Sequence, residues 1–186
     1  MRKKTILLGA MAVGLAVVTG MSGCSKSKEN QTAQTSAKEE AAQPSAPINN
    51  STIIADLTSR LKEKPNDPDI LWRLGDAYFD SKQFAESSAY YKKALQFKPN
   101  EADIYNDLGL SAHYLGKSDE GLKIVEEGIK KNPYHQRIWL TKGFILAYGM
   151  GDLDGAKAAW EKANALNPES QVGKAAGEFL AQFNKK

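Results

Sequence analysis

Four prolines, Pro65, Pro99, Pro133 and Pro168, stand 34, 34 and 35 residues apart. A fixed spacing of this size marks one supersecondary unit copied along the chain. Each proline follows a run with helical apolar periodicity and precedes polar residues able to cap a new helix, as in Leu95-Gln96-Phe97-Lys98-Pro99-Asn100-Glu101 and Ala165-Leu166-Asn167-Pro168-Glu169-Ser170. The pyrrolidine ring stops one helix and suits the opening of the next. Such a unit cannot bury its apolar face alone and is stable only when stacked on its neighbours. The period thus predicts an all-α array with no strand.

The side chains keep the same register. In the first unit Leu71, Leu74-Gly75, Tyr78, Tyr91, Ala94 and Pro99 fall in the order large, large-small, large, large, small, proline. Tyr105, Leu108-Gly109, Gly116, Gly121, Gly128 and Pro133 align in the second; Trp139, Gly143, Leu146, Ala156, Trp160, Ala163 and Pro168 align in the third after one extra residue near Gly149-Met150-Gly151. Antiparallel helices approach closely only where facing residues are small, so Gly75, Gly109 and Gly143 are predicted at the crossings. Lys142, Asn164 and Ala112 depart from the pattern. Period and register together resemble the tetratricopeptide-repeat family. That resemblance implies a right-handed superhelix of antiparallel helical hairpins.

The units are predicted over residues 68–101, 102–135 and 136–170. Ile53, Ile54, Leu57 and Leu61 give residues 51–67 the register of an N-terminal half repeat, and Val172, Ala175, Ala176, Phe179, Leu180 and Phe183 make residues 171–186 a C-terminal capping helix.

Ahead of the array, residues 1–23 read as a lipoprotein signal peptide: basic Arg2, Lys3 and Lys4, an apolar run from Ile6 to Val18, then small residues. The apolar run is broken by Gly9 and Gly14 and is shorter than the roughly 20 residues that span a bilayer. Met21-Ser22-Gly23-Cys24 resembles a lipobox, which implies lipidation of Cys24, and Ser25 resembles a signal for sorting to an outer membrane. The expected location is the cell envelope, lipid-anchored, on the periplasmic face of the outer membrane in a cell that has one. Residues 24–50, rich in Ser, Lys, Gln, Thr, Ala and Glu, are predicted to be a disordered tether. Removing the three basic residues of the leader leaves 22 basic against 22 acidic residues, so the mature chain is neutral. Nothing in that balance favours nucleic acid or gives reason to expect strong salt dependence. With Cys24 the only cysteine, the folded part must rest on its apolar core and not on disulfides.

No nucleophile and base, metal-ligand spacing or phosphate-binding loop is recognisable, and no enzyme activity, cofactor or metal is expected. His113 and His135 stand in different units and form no HxxxH pair. Gly149 to Gly155 reads as a lengthened inter-helix turn, with Asp152 capping the helix after it. The resemblance implies a partner-binding groove on the inner face, formed by the first helix of each hairpin. Carried over residue by residue, it comprises Trp72, Asp76 and Phe79; Asn106, Leu110, His113 and Tyr114; and Arg137, Leu140, Phe144 and Tyr148. Asp69, Asp80, Asp103 and Ala147 also fall on this register. Family members that grip a C-terminal carboxylate use lysine and asparagine in the first repeat and basic residues in the third. Here those places hold Trp72, Asp76 and Thr141, with only Arg137 basic, which argues against such a clamp. The expected partner is a protein or peptide segment of an envelope complex, of outer-membrane-protein, pilus or secretin, or cytochrome c maturation type. Two other readings are a small-molecule or glycan-binding, hydrolytic groove using Asp76, Asp80 and Asp103, and a self-associating structural subunit.

Overall fold

The computed structural model describes residues 49–183; the expected signal peptide, lipidation site and most of the tether lie outside the described residues, as do residues 184–186. Within them the chain forms eight α-helices: α1 Asn50–Glu63, α2 Pro68–Asp80, α3 Phe84–Phe97, α4 Ala102–Tyr114, α5 Ser118–Lys131, α6 Gln136–Phe144, α7 Leu153–Leu166 and α8 Gln171–Phe183. A π-helical segment, Ile145–Met150, continues α6, and no strand occurs among the described residues. Helices α2, α4, α6 and α8 begin 34, 34 and 35 residues apart, the period of the prolines.

Helix starts follow from local chemistry. The Asn49 side chain accepts from the Thr52 N–H at 2.9 Å, so α1 begins at Asn50, one residue ahead of the expected 51. Asp67 caps α2 by accepting from the N–H groups of Asp69 and Ile70 at 3.0 and 3.2 Å, with Pro68 in the first turn. Asp152 caps α7 as expected, accepting from the Gly155 N–H at 2.9 Å.

The three hairpin turns are copies with one variation. Lys82, Gly116 and Gly151 occupy the same place, each with positive φ (59°, 78° and 74°). The next N–H closes each helix: Gln83 to the Tyr78 carbonyl at 2.9 Å, Lys117 to Ala112 at 3.0 Å, Asp152 to Leu146 at 2.9 Å. The first two bonds span five residues and the third spans six. The extra residue of the third unit is thus absorbed inside the helix as a π segment and does not lengthen the loop, contrary to the sequence expectation. Of the glycines near the third turn, Gly151 alone takes a left-handed backbone; Gly149 lies in the π segment, where a Cβ would stand 2.7 Å from Ser118 Cβ and 2.9 Å from His113 Nδ1.

The core runs as a row of clusters between the helix layers, from Leu57, Ile70 and Leu74 through Leu71, Tyr91 and Ile104 to Val125, Ile138 and Ile145, then Leu146, Trp160 and Ala176. The predicted small contacts are at the crossings. A Cβ on Gly75 would overlap the Tyr91 ring, one on Gly109 the Val125 side chain, and one on Gly143 the indole of fully buried Trp160. Gly121 and Gly128 do the same for α5: a Cβ there would lie 2.6 Å from the Gly109 carbonyl oxygen and 2.5 Å from Tyr105 Cβ respectively. Residues that weaken an isolated helix by about 1 kcal/mol each here permit close packing on α4 and α6.

The three departures from the repeat pattern are also explained. Ala112 leaves room for Gly121, Lys142 reaches Glu126 at 2.9 Å while its amine sits 5.7 Å from the Trp139 ring centre, and Asn164 Nδ2 donates to the Gly173 carbonyl at 2.9 Å, fastening α8 to α7. No helix among the described residues is long and apolar enough to cross a membrane.

Candidate functional site

The first helix of each hairpin presents residues at i, i+3/i+4 and i+7/i+8 to one face. On α2 these are Trp72, Asp76, Phe79 and Asp80; on α4, Asp103, Asp107, Leu110 and Tyr114; on α6 and its π extension, Arg137, Leu140, Thr141, Phe144 and Tyr148. They line linked hollows on the concave face, one of about 390 Å³ walled by Trp72, Asp76, Phe79, Asp80, Asp107, Leu110 and Arg137, and a second walled by Leu110, Tyr114, Leu140, Phe144 and Phe179.

The first hollow is organised around Asp107. Its carboxylate accepts from Arg137 Nη2 at 2.8 Å, from Asn106 Nδ2 at 2.9 Å and from Trp72 Nε1 at 3.4 Å, joining α2, α4 and α6. Burial pushes its pKa above the ordinary carboxylate value, and the Arg137 guanidinium opposes that shift. Arg137 also reaches Asp103 at 3.6 Å, which in turn contacts His135 Nε2 at 3.1 Å. Asp76 accepts from the Tyr91 hydroxyl at 2.8 Å; loss of water around it raises its pKa, the Tyr91 hydrogen bond lowers it, and Asp80 one turn away adds to the rise. The Tyr91 hydroxyl is pushed well above the ordinary tyrosine range, by burial first and by Asp107 and Asp76 next, so it is always a donor.

The second hollow belongs to a rail of aromatic rings. Phe79 meets Phe84 and Tyr114 at centroid distances of 5.3 and 5.7 Å, His113 meets Phe144 at 5.4 Å, Phe144 meets Tyr148 at 4.9 Å, and Tyr148 meets Phe179 and Phe183 of α8 at 6.5 and 6.2 Å. These edge-on and tilted pairs rigidify one another. Tyr114 and Tyr148 nevertheless remain 48% and 50% exposed. His113 Nδ1 lies 3.0 Å from Ser118 Oγ, and burial lowers its pKa, so the ring is neutral within the rail.

The residues predicted for the inner face divide into those open to the groove and those behind it. Asp76, Phe79, Leu110, Tyr114, Leu140, Phe144 and Tyr148 face open space or its wall, and His113 lies within the rail. Asn106 is fully buried and reaches the groove only through Asp107. Trp72 is held by Asp107 and packs against the core cluster around Leu71, and Arg137 is engaged by two carboxylates. Sequence reasoning missed Asp107 and Phe179. Asp107 carries a readable signal, since it lies one turn after Asp103 on the inner face; Phe179 carries none, because only docking of α8 brings it to the groove. No group of three His, Cys, Asp or Glu able to hold a metal occurs among the described residues.

Comparison with known proteins agrees with this geometry. The family model described as TPR repeat matches residues 75–116. Among curated relatives, human protein O-mannosyl-transferase TMTC3 is 29% identical over 118 residues, covering 63% of this chain but only 13% of that protein, so the chain spans about an eighth of the relative's length. Among solved structures, the thermophilic repeat protein TTC0263 of Thermus thermophilus aligns with a TM-score of 0.64 at 20% identity over 73% of this chain and 75% of that one. PcrH in complex with the chaperone binding region of PopD aligns with a TM-score of 0.57 at 19% identity over 63% and 90%. Residues 75–116 thus match the TPR-repeat family model, and the described helices share the all-α superhelical fold of these solved structures.

Proposed function

We propose that this protein is a non-enzymatic interaction scaffold that holds a segment of a partner protein in its concave groove, tethered to the membrane through lipid on Cys24, during assembly of an envelope complex. The observation that carries the reading is the aromatic rail: half-exposed Tyr114 and Tyr148 are held between partly buried rings, which is the form of a preorganised binding anchor. PcrH, crystallised with a region of PopD, is an instance of this fold engaging a segment of another protein. Asp76 is engaged by the Tyr91 hydroxyl and Asp103 by Arg137 and His135, which suits recognition better than hydrolysis.

The test is crosslinking of the full chain in its native envelope, with captured neighbours identified by mass spectrometry. Tyr114→Ala and Tyr148→Ala should each reduce capture of the same partner about thirtyfold, corresponding to about 2 kcal/mol for a central aromatic anchor. They are cleaner probes than Trp72→Ala, which would also release Asp107. Unchanged capture by both variants, with unchanged melting, would place the binding surface elsewhere.

A further inference from the structure

The inner faces of α2 and α4 carry Asp76, Asp80, Asp103 and Asp107 beside the rings of Trp72, Phe79 and Tyr114, whereas α6 contributes Arg137 and Phe144. A segment lying along the array therefore meets aromatic rings at all three hairpins and carboxylates at the first two.

These carboxylates have an unanswered excess of charge. Asp103 and Asp107 share Arg137, at 3.6 and 2.8 Å. Asp76 takes only a neutral hydroxyl from Tyr91, and Asp80 faces it one helical turn away. Lys82 shares a rim hollow with Asp80, and Arg137 and then Arg73 act on Asp76 through space without an ion pair to it. A partly desolvated carboxylate beside a like charge gains most from an incoming cation, and the hollow there is walled in part by Trp72 and Phe79, against which the apolar stem of a lysine or arginine can pack.

We infer that the segment this groove accepts is amphipathic and basic, with apolar residues against the aromatic rail and lysine or arginine against Asp76 and Asp80, and that acidic C-terminal peptides are refused. The inference rests on the groove reading above and names its ligand class. Arg137, the basic residue on the inner-face register, is already neutralised, so a carboxylate-ended ligand finds no free cation there. The complementarity is local, since the mature chain as a whole would be neutral.

The experiment pans a displayed library of random 14-residue peptides on the full chain. Enriched sequences should combine Lys or Arg with Leu, Phe or Trp. A synthetic consensus peptide should bind Asp76→Asn/Asp80→Asn about tenfold more weakly than the parent, weaken further between 50 and 500 mM salt, and lose binding when its basic residues become glutamate. Neutral or acidic peptides whose binding needs Tyr114 and Tyr148 but ignores Asp76→Asn/Asp80→Asn would overturn the charge inference and leave the groove reading standing. Binders indifferent to all four positions, or no enrichment at all, would overturn both.

Discussion

Removing Arg137 isolates the junction on which the concave face is built. Asp107 has a side chain 9% exposed, while Arg137 is 49% exposed, so the pair is buried on one side only. Stripping the cation from a fully buried pair costs about 3–5 kcal/mol, and from an exposed pair about 0–1 kcal/mol. The asymmetry here places Arg137→Ala between these limits, at about 2 kcal/mol, because Asn106 and Trp72 still donate to the carboxylate at 2.9 and 3.4 Å. Protonation sets a ceiling. A carboxylic acid of ordinary pKa takes a proton at pH 7 for about 4 kcal/mol and at pH 5 for about 1.5 kcal/mol. The folded pKa of Asp107 is already raised and rises further without Arg137, so the folded state binds this proton more tightly than the unfolded chain. The ionised group therefore costs stability at neutral pH, and the deficit shrinks as pH falls. Urea unfolding of Arg137→Ala, Asp107→Asn and the double variant at pH 7 and pH 5 measures this directly. The expected result is a loss of about 2 kcal/mol at pH 7, a melting shift of roughly 6–8 °C, with less than half of it left at pH 5 and most of it absent when Asp107 is already asparagine. A loss under about 0.5 kcal/mol, additive double-variant energies, or a deficit that grows at pH 5 would refute the assignment.

Gly143→Ala should destabilise by about 3 kcal/mol in chemical denaturation, since the new methyl meets fully buried Trp160, whereas Gly177→Ala, whose Cβ comes no closer than 3.4 Å to Asn164 Nδ2, should be neutral or stabilise α8 by up to about 1 kcal/mol. Equal effects would contradict the close-approach account of the crossings. Cys24→Ala should abolish lipid labelling and leave uncleaved precursor; unchanged processing and membrane attachment would remove the lipoprotein reading.

Much of the candidate groove was legible because its register repeats with the helices. Tyr114 and Tyr148 could be placed on the inner face by counting from Phe79, and the ring contacts follow that order. Exposure was not legible. Asn106 and Asp107 are adjacent on the same helix, yet one is sealed beneath the other, a matter of a turn of about 100° relative to neighbouring helices that spacing alone does not fix.

By itself the sequence determined the array: prolines, caps and small residues act within a turn or between adjacent helices, so their period dictates eight helices among the described residues with Gly75, Gly109 and Gly143 at the crossings. Only the tertiary structure decided that the third unit's extra residue becomes a π segment, since an extended turn and a widened helix accommodate the same insertion and spacing alone does not distinguish them. It alone also brought Phe179 to the aromatic rail and joined Asp107, through Arg137 and Trp72, to the inner-face carboxylates the register had already placed, because contact between helices depends on their packing and not on spacing along the chain.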